Sequence, residues 1–340
     1  MEWLKGFVYG AQVITSPLGS QEIAHAEAVE IQQLPTKVIT FDGGGMRGLY
    51  TIELMRAVES HLNGKITDHT HVISGTSTGT ILGYGLGIEK SLDALDNLYR
   101  THGQEIFYQT AWEYFKDGDG LIGPKYDYTK LEQLLQDNFG QRKLSDFTQH
   151  HVMGFATDIT QQTVKIFDSK MAQKDPEEDV PAWFAIRSST AAPTYFAPTE
   201  WKGNALCDGG LLVNNPNMAT IIQLKDVYGW NVLENLKMVS FGTGTFPTGI
   251  NYQHASGMGA LEWVIPISDM IMKSSSNMHD SFSEKLLTKG RLVRLNGNLS
   301  NDLVLDDYSS NNLKAIEEAA LTYIKDNPEM VDRAAKTLQN

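Results

Sequence analysis

Two short β-rich runs constrain the fold of this chain most strongly, because each ends in glycine and is followed by a helical pattern. Lys37–Phe41 (KVITF) precedes three consecutive glycines, and apolar residues then recur at helical spacing over residues 49–62. Residues 71–74 (HVIS) precede a second glycine turn, after which residues 78–86 indicate a buried helix of small side chains. Such alternation implies a parallel sheet with right-handed crossovers. We therefore predict an α/β fold.

The same patterns continue along the chain and favour one elaborated α/β domain. Further strand candidates lie at residues 152–156, 164–167, 205–207, 238–241 and, more weakly, 292–295. Further helix candidates lie at residues 130–138, 218–227 and 312–325. The sequence contains no internal repeat and no long low-complexity linker. A length of 340 residues fits one or two domains and allows a sizeable core.

Composition excludes some classes of partner and cofactor. The chain has 28 Lys and Arg against 41 Asp and Glu, a net charge of −13, which argues against a nucleic-acid polymer and against long-range attraction to an anionic membrane. Its one cysteine, Cys207, excludes an intramolecular disulfide and a cysteine-based metal site. No stretch approaches the ~18–20 apolar residues of a transmembrane helix, and the N-terminus is a poor secretory signal. We expect no metal and no cofactor.

The first motif is the loop at residues 42–48 (DGGGMRG), between a predicted strand and a predicted helix. Gly43, Gly45 and Gly48 match the G-x-G-x-x-G pattern of a dinucleotide site, but that site also needs an acidic residue at the end of the next strand. Asp68 has the spacing but precedes that strand, and no Lys-Ser/Thr follows the glycines as in a Walker loop. The context therefore does not support a nucleotide-binding loop.

The same glycines can hold an anion by another physical route. At Gly43, Gly44 and Gly45, backbone N–H groups can converge at the N-terminus of a helix, where the helix dipole adds positive potential. Such a loop binds an anion or a developing oxyanion. Arg47 adds a charge that can hold the loop or face a phosphate. The structural alternative is a tight strand-to-helix turn.

The second motif, at residues 75–79 (GTSTG), matches G-x-S-x-G and lies between a strand and a helix. This is the context that a nucleophile elbow requires, with the serine at the tip of a sharp turn and glycines relieving the crowding. We predict that Ser77 is a nucleophile. The structural alternative is a glycine turn with a hydroxyl cap.

A nucleophilic serine needs a base, and the sequence offers two kinds. His254 and His279 lie downstream, as in a hydrolase triad, but neither stands in a distinctive motif. The third motif, at residues 205–210 (ALCDGG), instead puts Asp208 at the end of an apolar strand, where parallel-sheet sites are built.

Together the motifs resemble those of patatin-like phospholipases. The matching segments are DGGGMRG at 42–48, GTSTG at 75–79, GPKYD at 123–127, SSTAAPTYF at 188–196 and DGG at 208–210. Thr190 is a small departure, since many members have Ala there. The resemblance implies a three-layer α/β/α fold with a mainly parallel central sheet. It divides the chain into an N-terminal extension of unknown role (1–35), the patatin-like phospholipase domain (36–325) and a C-terminal helical tail (326–340).

The resemblance also implies a chemistry and the residues that perform it. The family uses a Ser–Asp dyad without a histidine, so Ser77 would be the nucleophile and Asp208 the base. The amides of Gly43, Gly44 and Gly45 would form the oxyanion hole, and Arg47 would support that loop. The implied activity is phospholipase A-type hydrolysis of fatty acyl esters in membrane phospholipids, without a cofactor. The poor secretory signal and the single cysteine favour an intracellular bacterial enzyme, and we expect it in the cytoplasm, acting at the inner face of a membrane.

Regulation and two other functions stay open at this point. Many bacterial members resemble anti-phage effectors that a cyclic oligonucleotide switches on, and the resemblance permits such an activator and homo-oligomerisation on activation, although no local motif indicates them. The non-enzyme alternative is an inactive lipid- or nucleotide-binding protein on a hydrolase scaffold. The other enzymatic alternative is an esterase with a His-containing triad.

Two apolar segments admit two interpretations. One contains Tyr108, Trp112 and Phe115, and the other is a Met-rich stretch over residues 258–272. A stripe of this kind most often belongs to the core, and the alternative is a mobile lid over the acyl chain.

Overall fold

The fold is built on one eight-stranded sheet. The computed structural model describes residues 34–106, 123–246, 249–288, 290–299, 303 and 306–340. The strands are β1 (Lys37–Phe41), β2 (Val72–Thr76), β3 (His151–Asp158), β4 (Thr163–Asp168), β5 (Thr199–Trp201), β6 (Asn204–Asp208), β7 (Lys237–Phe241) and β8 (Leu292–Leu295). Their order is β5-β6-β3-β2-β1-β7-β8, and β4 also pairs with β3. Strands β3, β2, β1, β7 and β8 are parallel, whereas β4, β5 and β6 join by antiparallel pairing.

The helices cover both faces of this sheet. In chain order they are α1 (Gly48–Glu59), α2 (Thr78–Gly87), α3 (Leu92–Ile106), α4 (Tyr128–Phe139), α5 (Ser169–Ala172), α6 (Ala182–Ser189), α7 (Gly210–Val213), α8 (Asn217–Tyr228), α9 (Tyr252–Ala255), α10 (Ala260–Leu287), α11 (Ser310–Asp326) and α12 (Pro328–Gln339). Helices α1, α2, α3, α4, α6, α11 and α12 pack on one face, and α8 and part of α10 pack on the other. The predicted three-layer α/β/α fold is confirmed.

Alternation along the central strands explains why both faces carry helices. Ile39 and Ile73 belong to the core under α1 and α12, while their neighbours Val38 and Val72 belong to the core under α8. All four side chains are fully buried, as in a parallel sheet covered on both sides. The C-terminal helix α12 contributes Leu338 to the first of these cores.

One edge of β3 is shared by two strands, and this arrangement positions the site. Residues 151–155 of β3 pair with β2, whose last residue Thr76 lies opposite Phe155. Residues 156–158 pair with β6, whose last residue Asp208 lies opposite Ala156. Because β4 occupies the other edge of β3 over residues 153–158, β2 and β6 must lie on the same edge. The two strands therefore run toward each other and end at consecutive positions.

Several elements differ from the sequence predictions. Strand β5 and helix α6 were not predicted, and β6 enters the sheet antiparallel to β3, whereas the alternation of elements suggested parallel strands. The Met-rich stretch is not core throughout, because Ile267, Met270 and Ile271 are 42–44% exposed on α10. Tyr108, Trp112 and Phe115 lie outside the described residues. None of the helices in the described ranges combines the length and apolar character needed to cross a membrane.

Candidate active site

The G-x-S-x-G turn forms a sharp elbow between β2 and α2. Ser77 has φ 54° and ψ −122°, a conformation that is strained for any residue with a side chain. The turn requires Gly75 and Gly79, because a Cβ on Gly75 would lie 2.0 Å from the Gly79 carbonyl oxygen and a Cβ on Gly79 would lie 2.3 Å from that of Phe41. The predicted sharp turn between a strand and a helix is therefore present at Ser77.

The Ser77 hydroxyl donates a hydrogen bond to Asp208, with Oγ 2.6 Å from Oδ2. The other carboxylate oxygen accepts from the amide of Gly210 at 2.7 Å, which fixes the plane of the carboxylate. Asp208 is only 7% exposed. Burial raises the pKa of this carboxyl to about 6, and the hydrogen bonds from Ser77 and Gly210 partly oppose that rise.

A second serine, Ser189, holds the backbone of the elbow by hydrogen bonds. The Ser77 amide donates to the hydroxyl of Ser189 at 2.9 Å, and that hydroxyl donates to the carbonyl of Phe155 at 2.5 Å. Ser189 is fully buried at the end of α6, and its own carbonyl accepts from the amide of Gly209 at 3.3 Å. Ser189 therefore links the backbone of Ser77 to the segment that follows Asp208. It lies in the SSTAAPTYF motif, but sequence reasoning assigned it no role.

The three glycines of the first loop have different roles in the structure. The Gly43 amide already donates to the carbonyl of Asn214 at 3.0 Å. Within the described part of the chain, no acceptor is found for the amides of Gly44 and Gly45. Gly43 packs closely on the elbow, since a Cβ there would lie 2.5 Å from Asn214 Oδ1 and 3.3 Å from Ser77 Cβ.

Charged side chains hold the two ends of this loop. Asp42 is buried and forms a bidentate ion pair with Arg294 of β8. The Arg294 Nη1 atom lies 2.8 Å from Oδ1, and Nη2 donates to Oδ2. Burial raises the pKa of Asp42, and the Arg294 charge opposes that rise. At the other end, Arg47 lies over the Phe246 ring and donates to the carbonyls of Gly44 and Gly244 at 3.4 Å. Sequence reasoning missed Arg294, because nothing local marks a partner 252 positions away.

The two histidine candidates lie elsewhere. His254 is exposed on α9, and the His279 ring lies 2.9 Å from the carbonyl of Asn215. Neither ring has a hydrogen bond to Ser77 or Asp208 among the contacts of the described residues. In the same ranges, no three His, Cys, Asp or Glu side chains cluster as a metal site would need.

An apolar groove is lined in part by Cys207 and Leu211, which lie on either side of Asp208 in the sequence. It has a volume of about 370 Å³, and its lining includes Ala191, Phe196, Pro198, Cys207 and Leu211. Ala191 accepts a hydrogen bond from the Asp208 amide at 2.9 Å, so one wall is attached directly to the strand end that carries the carboxylate.

A serine hydroxyl that is bonded to a carboxylate at a strand-to-helix elbow is the arrangement of a serine hydrolase. Comparison with known families agrees with this class, since residues 39–221 match the family model of patatin-like phospholipases. That match covers more than half of the chain, which therefore belongs to the patatin-like phospholipase family.

Individual relatives are similar over different lengths. An intracellular phospholipase A2 of Caenorhabditis elegans is 30% identical over 63% of this chain, and calcium-independent phospholipase A2-gamma of Mus musculus is 26% identical over 89% of it. The chain spans only 20% and 40% of the lengths of these two proteins. Patatin-08 of Solanum tuberosum is 26% identical over 88% of this chain and 87% of its own length.

Proposed function

We propose that the protein is a lipid acyl hydrolase of phospholipase A type, which cleaves fatty acyl esters of membrane phospholipids. The observation that carries this proposal is the 2.6 Å hydrogen bond from the Ser77 hydroxyl to Asp208, made at a strained elbow beside a glycine loop. The family match and the phospholipase A2 and patatin relatives support a lipid ester as the substrate.

In the proposed reaction, Asp208 accepts the Ser77 proton while Oγ attacks the ester carbonyl carbon. The tetrahedral intermediate then expels the alcohol, which receives the proton from Asp208, and leaves an acyl group on Ser77. A water molecule gives a proton to Asp208 and attacks the acyl-enzyme, and the returning proton releases the fatty acid and restores Ser77. The raised pKa of Asp208, about 6, makes this carboxylate a better base than an exposed one.

We propose that the amides of Gly44 and Gly45 carry the oxyanion, while Gly43 anchors the loop to Asn214. This division follows from the hydrogen bonds, since the Gly43 amide is already engaged and the other two have no acceptor among the described residues. Each donor of this kind is worth about 3–4 kcal/mol in the transition state. Arg47 supports the loop through the carbonyl of Gly44.

The apolar groove beside Asp208 is proposed to hold the fatty acyl chain. Its lining is mostly apolar and its wall is attached to the backbone of the proposed base. Activation by a cyclic oligonucleotide, homo-oligomerisation and action at the inner face of a membrane stay predictions from the sequence resemblance. Hydrolysis of phospholipid with a panel of cyclic di- and trinucleotides tests the first, and no stimulation by any member would contradict it.

The test of the proposed function combines labelling with hydrolysis. We expect a fluorophosphonate probe to label the wild type but not Ser77→Ala, and we expect Ser77→Ala and Asp208→Asn to lose phosphatidylcholine hydrolysis while staying folded. His254→Ala and His279→Ala serve as controls and should keep most activity. Retained activity in Asp208→Asn with loss in either histidine variant would replace the dyad by a triad. An unlabelled wild type would favour the inactive scaffold.

A further inference from the structure

Helix α10 carries an apolar surface that faces solvent. Six large apolar side chains on it are 42–48% exposed: Ile267, Met270, Ile271, Met278, Phe282 and Leu286. At about 100° per residue, these positions fall on one side of the helix. We call this set the α10 apolar face. Single exposed apolar residues are ordinary, but several on one side of one helix, counted among its described side chains, are typical of an interaction site.

Three polar side chains in the middle of α10 attach the helix to the domain by hydrogen bonds. Ser275 donates to the carbonyl of Leu212 at 2.6 Å, and Ser276 accepts from Asn214 at 3.0 Å. His279 lies 2.9 Å from the carbonyl of Asn215. Leu287 near the end of the same helix is buried in the core under α8, so polar and apolar contacts together hold the orientation of α10.

The α10 apolar face belongs to the same part of the molecule as the candidate active site. The residues that bond its inner side, 212–215, follow directly after the Asp208-Gly209-Gly210 segment. Asn214 connects the glycine loop to α10, because its carbonyl accepts from the Gly43 amide and its side-chain amide donates to Ser276. The Met272 sulfur also approaches Gly210.

We propose that the α10 apolar face docks on the headgroup–hydrocarbon boundary of a zwitterionic phospholipid bilayer and so brings the active site to its substrate. The inference rests on the proposed function, because a substrate that resides in a bilayer makes the bilayer the surface nearest this site. A helix that lies in that boundary buries an apolar face and keeps its polar side outward. In this protein the domain, to which α10 is hydrogen-bonded, would lie on the water side of the helix.

Charge decides which bilayer fits. A net charge of −13 opposes an anionic surface, so the attraction must come from apolar contact. The Lys285 ammonium lies 5.9 Å from the Phe282 ring at the end of the face, where a long side chain can extend to the phosphate level.

The experiment compares vesicle binding with turnover of a soluble ester. The variant is Met278→Ser combined with Phe282→Ser, and the control is Leu321→Ser, which removes a side chain of equal exposure (48%) from α11. We expect phosphatidylcholine vesicle binding and vesicle hydrolysis to fall at least about tenfold in the variant only. Turnover of a short-chain p-nitrophenyl ester should stay within about twofold of wild type, because no catalytic contact is removed.

Two results would overturn the docking proposal. One is unchanged vesicle binding in the double variant. The other is a wild-type oligomer that the double variant converts to a monomer, as measured by light scattering, which would assign the face to a second copy of this chain. Failure of the proposed function has a different signature, namely wild-type binding to vesicles without hydrolysis of either substrate.

Discussion

Replacing Asp208 by Asn should stabilise the fold while it abolishes hydrolysis. Burial raises the pKa of Asp208 to about 6 in the folded protein, against about 3.9 in an unfolded chain. The folded state therefore holds the proton more tightly, and stability is lost as pH rises through 3.9 to 6. Asn carries no charge, and it keeps both contacts, because its Oδ1 can accept from Gly210 and its amide can donate to Ser77.

The expected increase in the free energy of unfolding of Asp208→Asn over wild type follows from the two pKa values. A difference of about 2 units corresponds to about 3 kcal/mol at pH 8, where the buried carboxylate is fully ionised in both states. At pH 5 the folded wild type has already taken up most of a proton, so the gain falls to about 1.5 kcal/mol. Below pH 4 the two proteins should approach equal stability.

Equilibrium urea unfolding at pH 5 and pH 8 measures this difference. The control is Asp158→Asn, because the Asp158 carboxylate is also buried and accepts from the amides of Thr160 and Gln161 and from Asn204. An amide there would face donors, so that variant should lose stability at both pH values. An Asp208→Asn variant that is less stable than wild type at pH 8, or whose gain does not grow from pH 5 to pH 8, would refute the reasoning.

Three further predictions concern activity and packing. kcat/KM on a soluble ester should fall about tenfold per pH unit below pH 6, because Asp208 must be ionised, and a flat profile from pH 5 to 7 would contradict this. Ser189→Ala and Ser188→Ala each remove a buried hydroxyl and should cost about 1–3 kcal/mol in urea unfolding, but only Ser189→Ala should slow fluorophosphonate labelling, so equal labelling rates would exclude a positioning role. Arg294→Gln should cost about 3–5 kcal/mol in the same assay by leaving Asp42 buried without its partner, and a loss under about 1 kcal/mol would count against that pairing.

Local signals made much of this site predictable. Seven of the eight strands in the described residues follow from short β-rich runs, and the elbow at Ser77 follows from two glycines whose replacement would force backbone clashes. The position of Asp208 was predictable as a strand end followed by glycines. These features depend on neighbouring residues, which a sequence displays directly.

Other features depend on contacts between distant residues. Strand β6 pairs antiparallel with residues 156–158 of β3, the part of the shared edge that β2 leaves free, and no local pattern records this arrangement. Arg294 was missed for the same reason, since its partner Asp42 is remote in sequence. The outward direction of the α10 apolar face was also missed, because periodicity shows which residues share a face but not which way that face points.

Because β2 and β6 meet end to end on one edge of β3, the strand register determines how far Ser77 lies from Asp208. A slip that keeps every side chain on its own face must be two residues long, which moves a strand by about 7 Å. Such a slip in β6 would carry Asp208 beyond hydrogen-bonding reach of Ser77. Strand β3 therefore sets the spacing between Thr76, which precedes Ser77 and pairs with Phe155, and Asp208, which pairs with Ala156.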